Sequence, residues 1–304
     1  MRKLIVGCGY LGLRVANRWV ADGAVVIAVT RYSERGSFLQ SRGIEPIVGD
    51  IMAPDTLRSL PSADTVLFAV GHDRGCGHSI REVYVAGLMN VLEYLPSSVG
   101  RFIYVSSTGV FGQSDGSWVD ETSPCEPKRE GGRACWQAEL LLRQHPLGRR
   151  AVVLRMAGIY GPGRIPRSKE LLAGLPLDAP SEGFLNLIHV DDAASAVLAA
   201  EARAPLPSLY CVSDGHPVVR RDYYCQLAAL LGAAEPQFRK TQLDAPAALR
   251  ASASKRVSNQ RLLSQLGFQP QYPSYREGLA AIVSTSAALT NTKRAGPADE
   301  NRSS

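Results

Sequence analysis

The chain has no long apolar run and no paired cysteine motif, and both absences limit what it can be. No stretch of its 304 residues approaches the ~18 apolar residues of a transmembrane helix. The apolar run after Met1-Arg2-Lys3 is too short for a signal-peptide core. The six cysteines form no C-x-x-C pair and no zinc-like spacing, so no metal is expected. We therefore expect a cytoplasmic protein with reduced thiols and no membrane association.

The charge pattern also lacks the signature of a nucleic-acid-binding protein. The net charge is only +6, and the basic residues are scattered in short pairs such as Arg149-Arg150 and Arg220-Arg221. No stripe of Lys and Arg with interleaved aromatic residues is present. A nucleic-acid partner is therefore not expected, whereas the mildly basic balance favours a small anionic ligand.

Apolar runs and amphipathic segments alternate along the first half of the chain. The predicted strands read as near-continuous Val, Ile and Leu runs and cover 3–6, 24–29, 45–48, 65–69, 101–106 and 151–155. The predicted helices are 11–22, 34–41, 53–60, 80–95 and 132–144, followed later by 193–202 and 222–231. This alternation predicts an α/β fold, a doubly wound, Rossmann-like parallel sheet with helices on both faces.

The composition of the sequence changes after residue 155, and this change suggests where one domain ends and the next begins. Residues 1–155 are predicted to form a dinucleotide-binding domain. Residues 156–284 contain many Gly and Pro residues at first and then helical segments, so we expect them to form a smaller substrate lobe that returns one strand to the sheet. Residues 285–304 are small, polar and charged, which predicts a disordered tail.

A glycine motif lies directly between the first predicted strand and the first predicted helix. Gly7, Gly9 and Gly12 form G-x-G-x-x-G, with Tyr10 and Leu11 where the helix begins. The first glycine permits a tight turn, the second lets the backbone approach a diphosphate, and the third lets the helix pack on the sheet. The helix N-terminus then faces the anion. The motif predicts dinucleotide binding; the alternative is a glycine-rich turn that binds nothing.

The ends of the next strands indicate which dinucleotide fits. Arg31 stands where NAD enzymes usually place an acidic residue, and a guanidinium can hold a 2′-phosphate, so we expect NADP, with NAD as the alternative. Asp50, followed by Ile51, could accept a hydrogen bond from adenine or could cap the following helix. The small residues around Val70 and Gly71 suit close passage of a cofactor, although a plain sheet-end turn also explains them.

Several segments together resemble the extended short-chain dehydrogenase/reductases, also called the NAD-dependent epimerase/dehydratase family. They are 7–12, 49–51, 105–112, 154–163 and 189–193, in family order and spacing. The resemblance implies that Ser107 is catalytic and hydrogen-bonds the substrate oxygen. It also leads us to place Ser106 and Met156 in the cofactor site.

The resemblance fails at the residues that would transfer the proton. The family uses a Tyr and, four residues later, a Lys that lowers the pKa of the phenol. These positions carry Gly131 and Cys135. In this respect the chain resembles the atypical, YeeZ-like members of the family, which lack the Tyr-x-x-x-Lys pair. His72 or His78 could act as an acid or base instead, and Cys135 could be a nucleophile. The alternatives are two solvated loop histidines and a cysteine that only fills space in a helix.

Other candidate side chains are better explained by structure. Tyr84 and Tyr160 are expected to pack, and His189 is expected to face the core with a satisfied hydrogen bond. Arg155 could pair with Asp191 or its neighbour across the boundary between the lobes.

Two functions from different classes therefore stay open. The first is an NAD(P)-dependent oxidoreductase, epimerase or dehydratase that acts on a small polar, sugar-like substrate with a non-standard catalytic set. The second is a non-catalytic protein that binds a dinucleotide and reports its redox state to a partner. In either case the family resemblance implies a homodimer formed by the helices 80–95 and 132–144.

Overall fold

The computed structural model describes residues 1–239 and 254–294 of the chain. The strands are β1 Arg2–Val6, β2 Val25–Thr30, β3 Ile44–Val48, β4 Thr65–Phe68, β5 Arg101–Ser107, β6 Trp118–Val119, β7 Ala151–Met156, β8 Gly158–Tyr160, β9 Phe184–Leu185, β10 Leu187–His189, β11 Ser208–Val212, β12 Val218–Val219 and β13 Arg256–Val257. Seven of them form the central sheet in the order β11-β7-β5-β4-β1-β2-β3, with every pair parallel. The order reverses between β1 and β4, and at such a point an α/β sheet opens a crevice for a ligand.

Helices cover both faces of this sheet. They are α1 Gly12–Ala21, α2 Glu34–Gln40, α3 Gly87–Tyr94, α4 Glu130–Gln144, α5 Ser168–Leu172, α6 Val190–Arg203, α7 Arg220–Leu231, α8 Gln260–Leu266 and α9 Tyr275–Arg294. A π-helical turn, Glu82–Ala86, leads into α3. On one face Trp19 of α1 and Val197 of α6 join the core, and on the other face Leu92 of α3 and Leu142 of α4 do so. The predicted doubly wound α/β sheet is thus confirmed.

Two predicted elements differ from the structure. The helix predicted over 53–60 is wrong, because the structure has only a 3-10 turn there, Pro54–Leu57. The tail predicted from residue 285 begins too early, because α9 continues to Arg294. Residues 295–304 of that predicted tail lie outside the described residues.

The second half of the chain builds a smaller lobe with its own core. Tyr160, Leu171, Leu177, Tyr223 and Leu279 are buried together there. The same half returns β11 to the main sheet beside β7, as the sequence predicts. The chain enters this lobe after the carboxyl end of β7 and returns to the main sheet at β11.

Every helix within residues 1–239 and 254–294 is too short or too polar to cross a bilayer. The homodimer stays a prediction. On the helices expected to form it, Met89 is 49% exposed and Leu140 is 37% exposed.

Candidate active site

The three glycines of the loop after β1 meet different surroundings. Gly7 has a φ of +96°, and a Cβ there would lie 2.5 Å from the Ala69 carbonyl carbon. A Cβ on Gly12 would lie 2.4 Å from the Gly7 carbonyl oxygen. Nothing lies within 4 Å of a Cβ built on Gly9. Packing therefore explains the first and third glycines, whereas the second borders open space of the kind that a diphosphate needs.

The start of α1 leaves backbone donors for an anion. Within the part of the chain that the structure describes, no acceptor is found for the amides of Tyr10 and Leu11, and no side chain caps the helix. The side chains have other tasks. Leu11 is buried, and the Tyr10 hydroxyl donates to the Pro162 carbonyl at 3.0 Å. Both residues can thus serve a cofactor only through their backbone.

A cavity of about 450 Å³ opens at the carboxyl ends of β1 to β4, where the strand order reverses. Its lining includes the predicted cofactor residues Gly7, Gly9, Arg31, Asp50, Ile51, Val70 and Gly71. The volume lies within the range of ligand pockets. The residues present therefore fit the adenosine and diphosphate of a dinucleotide.

Charged residues at the rim of this nucleotide cavity are arranged around Arg31. The Arg31 guanidinium lies 3.6 Å from the Asp73 carboxylate, and both side chains are exposed to solvent. Arg35, four residues on, donates to the Cys8 carbonyl of the glycine loop at 2.6 Å. Asp73 was not expected from the sequence, because it lies in a glycine-rich loop with no strand or helix pattern. Its carboxylate opposes part of the positive charge of Arg31.

Asp50 does not cap the following helix. One of its carboxylate oxygens accepts from the Met52 amide at 2.9 Å, and the residue before the 3-10 turn is Ala53. Of the two predicted roles, capping is wrong. The contact with adenine stays a prediction, and the position of Asp50 on the cavity lining is compatible with it.

Ser107 ends β5 and lines a second cavity of about 360 Å³. Its hydroxyl oxygen accepts from the Gly109 amide at 3.0 Å. Ala157 and Gly158, which follow β7, form part of the same wall. The second cavity therefore opens at the same edge of the sheet as the nucleotide cavity, on the neighbouring strands.

Ser106 and Met156 do not reach either cavity, which corrects their assignment to the cofactor site. Successive side chains of a strand lie on opposite faces, so Ser106 faces away from the side that Ser107 presents. Its hydroxyl donates to the Glu139 carboxylate at 2.5 Å. Met156, at 3% exposure, belongs to the core under the sheet.

Comparison with known proteins identifies the family. The family model described as NAD dependent epimerase/dehydratase matches residues 4–210. The chain is 30% identical to Protein YeeZ of Escherichia coli (strain K12) over 286 residues, 90% of this chain and 97% of YeeZ. The chain belongs to the NAD-dependent epimerase/dehydratase family. It is thus an extended short-chain dehydrogenase/reductase, as its motifs indicate.

Two further relatives are informative. The 2-alkyl-3-oxoalkanoate reductase of Stenotrophomonas maltophilia is 28% identical over 76% of this chain and 76% of its own. A solved structure of a putative NAD-dependent epimerase/dehydratase from Methylobacillus flagellatus is 29% identical. It superposes with a TM-score of 0.75 over 94% of this chain and 98% of its own.

Gly131 and Cys135, at the positions of the family's Tyr and Lys, cannot take over proton transfer or supply a positive charge. A Cβ on Gly131 would lie 3.2 Å from the Ile80 side chain. Cys135 is buried on α4, and burial raises the pKa of its thiol to about 12. A thiol with such a pKa is neither a nucleophile nor a fixed cation at neutral pH, so the nucleophile hypothesis for Cys135 is not supported.

The loop histidines differ in position. His78 is exposed and lines the nucleotide cavity, whereas the His72 ring is hydrogen-bonded at 2.9 Å to the His78 carbonyl. Neither of them lines the cavity that holds Ser107.

Three polar residues near the boundary between the lobes, Arg155, Asp191 and His189, form ion pairs or hydrogen bonds within the fold. Arg155 pairs with Glu139 at 2.8 Å, so its predicted pairing with Asp191 is wrong. Asp191 pairs instead with Arg14, at 2.9 Å. The His189 ring caps α6 by accepting from the Asp191 amide at 3.3 Å, and burial lowers its pKa. His189 therefore faces the core as expected, but only Nδ1 is hydrogen-bonded, because Nε2 is buried and finds no partner among the described residues.

Proposed function

We propose that the protein is an NADP-preferring oxidoreductase that transfers a hydride between the nicotinamide and the carbonyl carbon of a small polar substrate. The observation that carries this proposal is the position of the two cavities. The nucleotide cavity lies at the carboxyl ends of β1 to β4, and the cavity with Ser107 lies at those of β5 and β7. The relative named a reductase of a 3-oxoalkanoate supports carbonyl chemistry over epimerisation.

The chain's own residues would act mainly by binding and orientation. The dinucleotide supplies the hydride when it is bound. The Tyr10 and Leu11 amides hold its diphosphate, and Arg31 attracts the 2′-phosphate. The Ser107 hydroxyl donates a hydrogen bond to the substrate oxygen and so polarises the carbonyl, and the alkoxide left by hydride transfer takes its proton from solvent water. Without the Tyr and Lys of the family, turnover should be slower by a factor of ~10²–10⁴.

The proposal is tested by nucleotide binding and single turnover. NADPH fluorescence titration should give saturable binding that is tighter than that of NADH. Gly9→Asp should abolish binding without unfolding the protein, because the new side chain enters open space and repels the diphosphate. Ser59→Asp adds the same charge at an exposed position away from both cavities and should bind normally. Oxidation of bound NADPH by a panel of carbonyl compounds should then depend on Ser107, and Ser107→Ala should slow it.

A second candidate function follows from Gly131 and Cys135. A protein without the proton-transferring pair could bind the dinucleotide and report its redox state to a partner. In that case NADPH and NADP would bind with clearly different affinities, and no compound of the panel would oxidise the bound NADPH. Turnover that depends on Ser107 would exclude this second function.

A further inference from the structure

The cavity that holds Ser107 is lined by cationic side chains from four separate parts of the chain. Arg129 precedes α4, Arg167 precedes α5, Arg220 begins α7 and Lys255 precedes β13. The one acidic residue on this lining is Asp178, which is exposed and offers its backbone carbonyl to Arg167 at 2.8 Å. We call this cavity the cationic pocket.

Lys255 is one of the two deeply buried charges of the cationic pocket. The residue is 7% exposed, and its ammonium donates to the Phe111 carbonyl at 2.9 Å. Among the described residues no carboxylate lies within 4 Å of the ammonium. Burial, together with the charges of Arg129 and Arg220, lowers the Lys255 pKa to about 8. The three cations are therefore close enough to repel one another.

Arg220 and Arg167 line the same pocket, the first with a buried side chain and the second with a left-handed backbone conformation. Arg220 is 7% exposed, and burial lowers its pKa, with Arg129 adding to the effect. Arg167 has a φ of +66°, the only left-handed residue other than glycine in the described part of the chain. Glu170 neutralises it at 2.7 Å. Strained backbone of this kind is concentrated at functional sites.

The cationic pocket is continuous with the predicted catalytic serine. A Cβ on Gly109 would lie 3.2 Å from the Ser107 hydroxyl and 3.7 Å from an Arg129 guanidinium nitrogen. A group held by Arg129 would therefore lie beside the hydroxyl that polarises the substrate. At about 360 Å³ the pocket lies near the lower end of the volumes of ligand sites, which suits a small molecule.

We propose that the cationic pocket binds the anionic group, a carboxylate or a phosphate, of a small acidic substrate and places the rest of it against Ser107. The buried Lys255 ammonium, which has no carboxylate within 4 Å among the described residues, becomes favourable when an anion lies against it. An uncharged sugar would leave the Lys255 charge without an anion, so the proposal replaces a neutral sugar-like substrate by an acid. The substrate role rests on the proposed oxidoreductase function, whereas the anion site does not.

Calorimetric titration of the full chain with inorganic phosphate and with malonate tests the site. The titrations use the Gly9→Asp protein, whose glycine loop repels anions, so that binding reports the cationic pocket. In this background Lys255→Gln and Arg129→Gln should each weaken binding of the better probe by about tenfold, the effect of one charge-assisted hydrogen bond. Lys255→Arg keeps the charge and should retain binding. Phosphate binding much tighter than malonate would indicate a phosphorylated substrate, and the reverse a carboxylic acid.

The matched control is Arg221→Gln, which removes the same charge from the exposed neighbour of Arg220 and should bind the anions within about twofold of the parent. Arg129 is exposed, so Arg129→Gln tests the site even if Lys255→Gln does not fold. The proposal is wrong if neither probe binds, or if Lys255→Gln and Arg129→Gln both bind the probes as tightly as Arg221→Gln. NADPH binding is measured separately, on the parent chain and on Lys255→Gln, both without the Gly9→Asp substitution. If the parent chain does not bind NADPH, the oxidoreductase function is rejected and the anion site is unaffected.

Discussion

Glu139 and Arg155 form an ion pair in the interior, with 2.8 Å between carboxylate and guanidinium and side-chain exposures of 4% and 2%. Glu139 also accepts the hydroxyl of Ser106, the residue before Ser107. The Arg155 guanidinium lies 5.0 Å from the ring centre of Phe111, whose carbonyl accepts from Lys255. Through these contacts the ion pair holds in place both the end of β5 at Ser106 and the Phe111 segment that contacts Lys255.

Replacing Glu139 by Gln should destabilise the protein by about 3–5 kcal/mol, because it leaves the Arg155 charge buried without a counter-charge. Urea unfolding followed by circular dichroism measures the change. The control is Asp55→Asn, which breaks the exposed pair with Arg58 and should change the free energy of unfolding by less than about 1 kcal/mol. Equal effects of the two substitutions would contradict the structural role assigned to the buried pair.

Arg31→Ala should weaken NADPH binding by about tenfold and NADH binding much less, because only NADPH offers a 2′-phosphate to the guanidinium. Asp73→Asn should act in the opposite direction, since its carboxylate lies 3.6 Å from Arg31 and repels that phosphate. Fluorescence titration of both nucleotides with both variants measures the four affinities. If Arg31→Ala weakens the two nucleotides equally, Arg31 is an ordinary rim residue and the preference for NADP has no basis.

The Cys135 thiol should stay unmodified by iodoacetamide at pH 8 in the folded protein. Burial raises its pKa to about 12, so almost no thiolate forms, and the reagent cannot reach it. Cys76 is only half-buried and should react first. Mass spectrometry of peptides after timed labelling gives the order of reaction. Fast labelling of Cys135 without unfolding would restore the hypothesis that it is a nucleophile.

Asp214 should make the protein less stable as the pH rises from about 4 to about 7. Burial raises the pKa of its carboxyl to about 7 in the folded state, against ~3.9 when unfolded. Between these values the folded state holds a proton that the unfolded state has released, so the free energy of unfolding falls with pH. Asp214→Asn should remove this slope and raise the Tm at pH 8. The exposed Asp222→Asn should leave the slope unchanged, and a slope that survives Asp214→Asn would contradict the assignment.

The parts of the fold that depend on local sequence could be predicted. The strands are short apolar runs, the glycine loop has a fixed spacing, and their order along the chain determines a parallel sheet. The role of Asp50 was left between two alternatives because both involve the same carboxylate, and only the position of Ala53 before the 3-10 turn excludes capping. Ser106 and Met156 were misplaced, since a one-residue change along a strand moves a side chain to the opposite face.

The cationic pocket could not be predicted, for a different physical reason. Arg129, Arg167, Arg220 and Lys255 belong to four segments with no shared motif, and only tertiary packing brings their charges together. The same holds for the partner of Arg155. The sequence offers many carboxylates to a buried arginine, and the packing of α4 on β7 selects Glu139.

Tyr10 belongs to the glycine loop, and its hydroxyl donates a hydrogen bond to the Pro162 carbonyl. Arg14, one helical turn later, forms an ion pair with Asp191 at the start of α6. These two contacts connect the edge of the nucleotide cavity to the lobe that lines the cationic pocket. A shift of that lobe on binding an acid would therefore move the glycine loop, for which we propose a role in diphosphate binding. By thermodynamic linkage, the factor by which bound nucleotide changes the affinity for the acid then equals the factor by which bound acid changes the affinity for the nucleotide.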